Sequence, residues 1–408
     1  MEKTIPKAKG REVMKTVSLI DLCYSVTDCS HSTPKWTNAG KIVIRNQNIR
    51  NGRLDTSSVS YTTQEDYDKR IKRALPNAGD IIITREAPMG EVCMIPDDLE
   101  CCLGQRMVLL KPNMDLVDNN YLLYALMSPY VQNQISWSEG TGTTVSNLRI
   151  PHLEKLQIPI FELKKQRKIA NLLANLDKKI EVNNEINENL EQQTQSVYHE
   201  YFEGVSFDDL PLGWRVVTLG DVATISNKSF NPLKKPETML EHYSIPAFDK
   251  ARFPVFETSA AIKSNKFIID DSCFMISKLN PTTKRVWKPY CMTENAVCST
   301  EFIVYKAKDR FITDFLYSVI DSVSFSDFMC SHVTGSTGSR QRTTPSDTLF
   351  FELILPSEDE LAKYQALISP IYAQIRINAI ENDRLKRLRD SLLPKLMSGE
   401  IDVSAIQL

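Results

Sequence analysis

The sequence contains neither a long apolar run nor a cysteine pattern of the kind that marks membrane or secreted proteins. No stretch approaches the roughly 18 consecutive apolar residues of a transmembrane helix, and Met1–Gly10 lacks the apolar segment of a signal peptide. The nine cysteines form no C-x-x-C pair, which argues against a zinc ribbon and a disulfide scaffold. These absences predict a protein of the reducing cytoplasm with no membrane contact.

The sequence also lacks a surplus of charge of one sign. Its 49 basic and 51 acidic residues give a net charge of −2, so any contact with nucleic acid must rest on a local cluster. Apolar residues make up 42% and charged residues 25% of the chain, a composition typical of globular proteins. At about 150 residues per domain, the 408 residues predict two or three domains.

Sequence motifs of several common enzyme classes are missing as well. There is no G-x-x-x-x-G-K-[ST], no G-x-G-x-x-G, no G-x-S-x-G and no Asn/Asp-Pro-Pro-Tyr/Phe of an amino-methyltransferase. The acidic run Pro96–Glu100 lacks the downstream acid-x-Lys of a common nuclease core. Cys23, Cys29 and His31 could crowd one metal, but a loop histidine beside two thiols is the preferred interpretation. We therefore predict no catalytic residue and no metal site.

What the sequence does contain is an internal repeat. Four landmarks recur in the same order at nearly one offset, which predicts a duplicated globular unit followed each time by a helix. They are Val17–Leu22 with Val217–Val222, Gly140–Thr144 with Gly335–Ser339, Leu156–Pro159 with Leu353–Pro356, and the polar helical segments Glu162–Glu203 with Glu358–Leu393.

The first helical segment contains neither Gly nor Pro between Glu162 and Glu203, and Gly204 supplies a stop. Its apolar residues recur at a spacing of 3–4, which indicates a narrow seam for a partner helix. At 1.5 Å per residue its 42 residues make a rod of roughly 63 Å. Asn183 and Asn187 interrupt the seam, and two interpretations stay open: buried amides that fix the helix register, or solvated side chains.

The second helical segment contains Pro370, which either starts the long helix after Ser369 or kinks it, and Pro394, which we expect to end it. The globular unit between the two helices has an expected diameter of roughly 40 Å. A unit of that size cannot easily bring the chain back over the full length of the first helix. The second helix should therefore start near the end of the first and run back along it, so we predict an antiparallel helix pair.

The predicted fold class is mixed α+β (α/β), with two similar globular domains separated by an antiparallel pair of long helices in a pseudo-two-fold repeat. The predicted limits are 1–161 for the first domain, 162–204 for the central spacer helix, 205–357 for the second domain, 358–397 for the distal spacer helix and 398–408 for the C-terminal tail.

Two acid-free windows carry the chemistry of DNA contact. Pro34–Arg53 holds five cations around Trp36 and a cluster of amides, and Lys278–Tyr290 holds four cations around Trp287. Arg can donate two hydrogen bonds to a guanine edge, Asn and Gln can pair with adenine edges, and Lys neutralises phosphates. The two Gly/Thr/Ser-rich loops could follow a phosphate backbone. The alternative for each window is a solvated polar loop.

The predicted DNA-binding residues come from these windows, from the two loops and their flanks, and from the segment Gly79–Val92. They are Lys35, Trp36, Arg45, Asn46, Gln47, Asn48, Arg50, Arg85, Thr143, Asn147, Arg149, Lys278, Lys284, Arg285, Arg340, Gln341 and Arg342.

Three segments carry a resemblance that covers nearly the whole chain. They are Leu210–Val222, the strand–loop–strand Gly79–Val92, and the stretch from Leu156–Pro159 through Gln166–Ala170 to Asp177. In this order they resemble the specificity subunit of type I restriction–modification enzymes.

The resemblance implies two target-recognition domains, each reading one half of a split, asymmetric sequence in double-stranded DNA, with the helices as a ruler. It implies two methyltransferase (modification) subunits docked on the chain and motor–nuclease (restriction) subunits that join the complex. S-adenosylmethionine, ATP and Mg²⁺ would belong to these partners, and the chain itself would hold no cofactor and act as a non-catalytic subunit.

Two other hypotheses stay open from the sequence. The first is a non-enzymatic coiled-coil adaptor that joins two protein-binding modules, against which the acid-free Arg/Asn/Trp windows count. The second is a stand-alone nuclease or methyltransferase, which conflicts with the missing motifs.

Overall fold

The computed structural model describes residues 14–137, 147–334 and 341–404. They form two compact units, and the boundaries between the units fall at Ile180/Glu181 and Asn382/Asp383, inside the two long helices. Unit 1 contains the described residues up to Ile180 and from Asp383 onward, and unit 2 is Glu181–Asn382. The predicted domain limits, which separate helices from globular parts, stay a prediction.

Unit 1 is built on two four-stranded sheets, with strand orders β10-β4-β7-β3 and β2-β11-β8-β9, and two further strand pairs, β1-β12 and β5-β6. Its strands are β1 (Thr16–Ser18), β2 (Cys23–Asp28), β3 (Trp36–Thr37), β4 (Lys41–Ile44), β5 (Ile49–Arg50), β6 (Arg53–Leu54), β7 (Ser60–Thr62), β8 (Ile81–Thr84), β9 (Val92–Met94), β10 (Cys101–Leu103), β11 (Met107–Pro112) and β12 (Gln157–Pro159). Its short helices are α1 (Gln64–Ile71), α2 (Asn119–Met127), α3 (Pro129–Ser136) and α4 (Ile150–Glu154).

Strand β8 is apolar on both faces because it is covered on both faces. Ile81 and Ile83 point into a core formed with α2, α3 and the long helices, whereas Ile82 points into a second core between the sheets. Side chains alternate across a strand, so a continuous apolar run is what a sheet buried on both sides requires.

The first long helix, α5, is Leu163–Tyr198, and it continues as a π-helical turn, His199–Glu203, that ends at Gly204 as predicted. Its first turns pack on unit 1 through Ile169 and Leu173, which are fully buried.

Unit 2 repeats this plan. Its sheets have strand orders β14-β22-β19-β20 and β15-β18-β21-β16-β17, with the pairs β13-β25 and β23-β24. The strands are β13 (Arg215–Thr218), β14 (Ala223–Ile225), β15 (Ser229–Phe230), β16 (Met239–Tyr243), β17 (Val255–Thr258), β18 (Lys266–Ile268), β19 (Cys273–Ser277), β20 (Val286–Trp287), β21 (Ala296–Ser299), β22 (Phe302–Ala307), β23 (Val333–Thr334), β24 (Arg342–Thr343) and β25 (Glu352–Leu355). The short helices are α6 (Leu219–Val222), α7 (Ile245–Ala251), α8 (Thr313–Ile320) and α9 (Val323–Ser331).

The second long helix, α10, is Glu358–Met397. It runs through Pro370, so neither the start nor an end of the helix lies there. The prediction that Pro394 ends the helix is wrong. Proline removes one backbone hydrogen bond, but Leu396 and Met397 are buried in the core of unit 1, and this packing holds a further turn.

The two long helices are antiparallel, as predicted. In unit 2, Asn183 donates to Asn382 at 2.9 Å, and Asn378 donates to Asn187 at 2.8 Å, so residues later in α5 meet residues earlier in α10. Asn183 is 1% exposed and Asn382 is 4% exposed, which decides between the two interpretations in favour of a buried amide layer. The fold class is therefore confirmed, including the long central and C-terminal helices.

Candidate nucleic-acid interface

The window Pro34–Arg53 forms β3, β4, a 3₁₀ turn at Asn46–Asn48 and the hairpin β5-β6. Four of the predicted polar DNA-binding residues in this window are exposed: Lys35, Arg45, Gln47 and Arg50. The guanidinium of Arg45 lies over the ring of Trp36, 5.2 Å from the ring centroid, and Trp36 is itself 47% exposed. This edge presents cations and a flat apolar ring together, a combination suited to phosphates and bases.

Two predicted residues of this window hold the loop itself. Asn48 is buried, its side-chain nitrogen donates to the carbonyls of Asp55 and Ser58 at 3.0 Å, and its oxygen accepts from the amide of Arg45 at 2.9 Å. The Asn46 side chain donates to the carbonyl of Glu86. Both amides therefore shape the turn that presents the exposed side chains.

Arg70, which the sequence analysis did not single out, supports the same edge of unit 1. Arg70 on α1 is 4% exposed, and its guanidinium donates to Asp66 at 2.8 Å and to the carbonyl of Ser32 at 2.8 Å. Burial acts to raise the pKa of Asp66, but hydrogen bonds from Arg70 and Thr62 outweigh it and lower that pKa. The i,i+4 spacing of Asp66 and Arg70 was the available signal.

Arg85 and Asn147 are brought together, although they lie 62 residues apart. The Arg85 guanidinium donates to both carboxylate oxygens of Asp28, at 3.0 and 3.1 Å, to the carbonyl of Leu148 at 3.0 Å and to Asn147 at 3.2 Å. Arg149 is exposed next to this cluster in sequence. Thr143 lies outside the described residues.

In unit 2 the predicted cations contact acids. Lys284 lies 2.8 Å from Asp321, and Arg285 donates to both oxygens of Asp249 at 2.6 and 3.0 Å. The sequence could not reveal these pairs, because each acid comes from a separate element some 36 residues away in the chain.

The remaining predicted residues of unit 2 gather at the pair β23-β24. Arg342 donates to both oxygens of Glu301 at 3.0 and 3.2 Å, and the carbonyl of Gln341 accepts from the amide of Asn280 at 2.9 Å. Lys278 is half-buried, and its amide donates to the carbonyl of Glu301. Arg340 lies outside the described residues.

The sequence raises Cys23, Cys29 and His31 as candidates for metal binding, and the structure gives the surroundings of these side chains. His31 lies 3.0 Å from Asp28, and burial raises the pKa of the Cys23 thiol to about 12. No group of three or more His, Cys, Asp or Glu residues able to hold a metal occurs within residues 14–137, 147–334 and 341–404. Across those same ranges, no helix has the length and apolar character needed to span a membrane.

Comparison with known proteins shows which family part of the chain resembles. Residues 12–192 match the model of the type I restriction modification DNA specificity domain. This part of the chain is similar to that domain family. The match includes the whole of the first predicted basic window and most of α5.

The recognition of a specificity subunit is confirmed by relatives that extend over most of the chain. A type I restriction enzyme MjaIX specificity subunit of Methanocaldococcus jannaschii is 26% identical, with 80% of this chain and 79% of the relative covered. A HindI specificity subunit of Haemophilus influenzae is 22% identical, with 83% and 89% covered. The crystal structure of an S subunit from M. genitalium shares the fold, with a TM-score of 0.58 at 18% identity and with 96% and 99% of the two chains covered.

Proposed function

We propose that this chain is the DNA-specificity subunit of a type I restriction–modification complex. Each globular part reads one half of a bipartite target in double-stranded DNA, and the long helices set the spacing between the half-sites and dock methyltransferase subunits. The chain carries no catalytic residue of its own and works in the cytoplasm.

The observation that carries this proposal is the repeated sheet plan. In unit 1, β4 pairs parallel with β10 and antiparallel with β7, and in unit 2, β16 pairs parallel with β21 and antiparallel with β17. Strands β8 and β19 occupy the same place in the orders β2-β11-β8-β9 and β14-β22-β19-β20. Two reading modules of one design in one chain suit a target made of two separate parts.

The exposed edge in unit 1 is the best supported contact surface. We propose that Arg45 and Arg50 contact base edges or phosphates there, with Lys35 and Gln47 beside them, and that Arg149 makes a further contact of this kind, because these side chains are exposed. In unit 2 the same role requires Lys284, Arg285 and Arg342 to exchange a carboxylate for a phosphate or a base.

The proposed partners supply the chemistry. Two methyltransferase subunits would bring S-adenosylmethionine, and motor–nuclease subunits would bring ATP and Mg²⁺. The missing nucleotide-binding and methyltransferase motifs of this chain favour that division of labour.

Selection of random duplexes by the complex of this chain with its methyltransferase subunit tests the proposal. We expect enrichment of one split, asymmetric sequence at moderate salt, and neither cleavage nor methylation by the purified chain given Mg²⁺ and methyl donor. Enrichment of no split sequence would favour the adaptor hypothesis instead, and activity of the chain alone would contradict a non-catalytic role.

A further inference from the structure

In both units an arginine ties the globular part to helix α5. Arg53 and Arg252 lie 199 residues apart, which agrees with the offset of the repeat. Each lies in the connection that leaves the parallel-paired strand of its sheet: Arg53 between β4 and β7, and Arg252 between β16 and β17. The two arginines therefore occupy corresponding places in the two modules, although one lies in a hairpin and the other ends a helix.

In unit 1, Arg53 joins a set of contacts centred on Asp177 of α5. The guanidinium of Arg53 donates to the main-chain carbonyl of Asp177 at 2.6 Å. The carboxylate of Asp177 accepts from the hydroxyl of Tyr124 on α2 at 2.7 Å and from Arg389 on α10 at 2.6 Å. The side chains of Asp177 and Arg389 are 17% and 14% exposed, so water competes little for this contact.

The hairpin that carries Arg53 is also held by its turn. Gly52 has φ +81°, and a Cβ at this position would lie 2.5 Å from the sulfur of Met127 on α2, so the absent side chain allows this approach. The amide of Asn51 donates to Glu91 at 2.8 Å. Arg50, which pairs with Arg53 across the hairpin, is exposed. Both arginines of the hairpin are exposed, and Arg53 also contacts the helix.

In unit 2, Arg252 has φ +46° at the end of α7 and donates to the carboxylate of Glu191 on α5 at 2.5 Å. Its carbonyl accepts from the hydroxyl of Tyr290 at 3.1 Å. The carbonyl of Tyr290 in turn accepts from Arg376 on α10, at 2.9 and 3.2 Å. Arg252 is therefore connected to both long helices within this unit.

We propose that Arg53 and Arg252 are positioning residues for DNA recognition: each fixes the direction of its reading module on the spacer helix, and so restricts the spacing at which the two half-sites are accepted. This inference rests on the proposed function. The inference gives Arg53 a different role from the other cations of the window Pro34–Arg53, because Arg53 contacts Asp177 of α5 and does not contact a base.

The test uses the full chain in complex with its methyltransferase subunit. Duplexes that carry the selected half-sites at the preferred spacing compete with duplexes one base pair shorter or longer. For Arg53→Ala we expect the preference for the natural spacing to fall about fivefold, the scale of one partly exposed ionic contact, with the preferred bases unchanged. Arg53→Lys retains a donor for the Asp177 carbonyl and should keep the preference. Arg50→Ala, in the same hairpin, should change base preference in one half-site and leave spacing unchanged.

In unit 2 the inference can be tested by exchanging the charges of Arg252 and Glu191. Arg252→Glu places two carboxylates together and should relax the spacing, and adding Glu191→Arg should restore it. If Arg53→Ala does not fold, as thermal unfolding would reveal, this exchange decides the matter. Unchanged spacing in both single variants, or a change in base preference by Arg53→Ala, would overturn the inference. A wild-type complex that selects no bipartite sequence would instead overturn the proposed function itself.

Discussion

The two units share a sheet plan but differ in the partners of their basic residues. In unit 1, Arg45 stacks on exposed Trp36, and Arg50 is exposed on a hairpin. In unit 2, Arg285 and Arg342 each make two hydrogen bonds to one carboxylate. Two windows that look alike in sequence thus differ in these arginines, although Lys41 of the first window also pairs with an acid, Glu100, at 2.6 Å. An acid-free stretch predicts an exposed basic surface only when no acid from another element folds onto it.

The units also differ inside their sheets, at one place in the parallel strand pair. In unit 1, Ile42, Val43 and Ile44 of β4 pair with β10. At the corresponding positions of unit 2, Glu241, His242 and Tyr243 of β16 pair with β21. Three apolar residues of β4 thus correspond to a buried glutamate, a buried histidine and a buried tyrosine in β16. The duplication therefore preserves the pairing of the strands more strictly than the polarity of their side chains.

The largest expected effect concerns Glu241. Its carboxylate is fully buried and accepts from the hydroxyl of Tyr243 at 2.6 Å and from the amides of Met292 and Thr293 at 3.1 and 2.8 Å. Glu241→Ala should lower the free energy of unfolding of unit 2 by about 3–5 kcal/mol, since several buried donors lose their acceptor. Ile42→Ala, at the same ladder position in unit 1, should cost about 1–2 kcal/mol.

Hydrogen exchange of peptides from each unit, measured against urea, would give both values. Equal losses of unfolding free energy in the two variants would show that the buried carboxylate of Glu241 contributes no more to stability than the side chain of Ile42. This result would remove the distinction between the two units.

The contacts between the long helices offer a second comparison. In unit 2 they include buried amides, with Asn382 accepting from Asn183 at 2.9 Å and donating to Asn184 at 2.8 Å, and in unit 1 they include the Asp177–Arg389 ion pair at 2.6 Å. Asn382→Ala should cost about 2–3 kcal/mol, with little dependence on salt.

Arg389→Ala should cost slightly less at high salt than at low salt, because ions screen even a mostly buried pair to a small extent. Urea unfolding at two salt concentrations measures both effects. The same salt dependence in both variants would contradict this difference between amide and ionic contacts.

Binding should distinguish the basic residues of the two units. Arg50→Ala should weaken discrimination at one half-site by about 1–3 kcal/mol, the value of one good side-chain–base contact. Arg285→Ala should affect binding less and lower the stability of unit 2, since the Asp249 carboxylate loses its partner. Competition between matched and mismatched half-sites, with thermal unfolding alongside, measures both. A larger loss of discrimination for Arg285→Ala would reverse the comparison.

The smallest expected effect is a pH dependence confined to unit 2. His242 is 8% exposed, lies 2.7 Å from Glu257, and has Lys266 nearby. Burial lowers its pKa below the ordinary 6.5, so the unfolded chain takes up a proton that the folded one excludes. The free energy of unfolding should therefore be highest above pH 6.5 and fall below it, by at most about 1.4 kcal/mol per pH unit.

His242→Val gives unit 2 the residue that unit 1 has at this place, Val43, and should remove this slope. Urea midpoints between pH 8 and pH 5 check it. The same slope in the variant would assign the pH dependence to other groups.

The sequence predicted the features that depend on periodic patterns. The repeat, the long α5 and the antiparallel helix pair followed from spacing and chain connectivity. The continuation of α10 past Pro394 was missed, because the packing of Leu396 in a distant core outweighs one lost hydrogen bond.

The contacts of polar side chains could not be predicted in the same way. Asn48 looks like a base-reading amide in the sequence, but its hydrogen bonds go to carbonyls that only the folded loop brings near. Asp249 and Arg285 meet across separate elements. Residue type alone therefore does not separate a side chain that binds a partner from one that supports the loop.

The covering of β8 and β19 on both faces has a consequence for how the two modules can diverge. In β19, Phe274 and Ile276 enter one core while Cys273 and Met275 enter another, so almost any mutation in the strand disturbs a packed interior. Inherited variation is then tolerated mainly in the connections at the strand ends, such as those that contain Arg85 and Arg285. A lineage could acquire new target preferences there while the packed strands of the sheet stay unchanged.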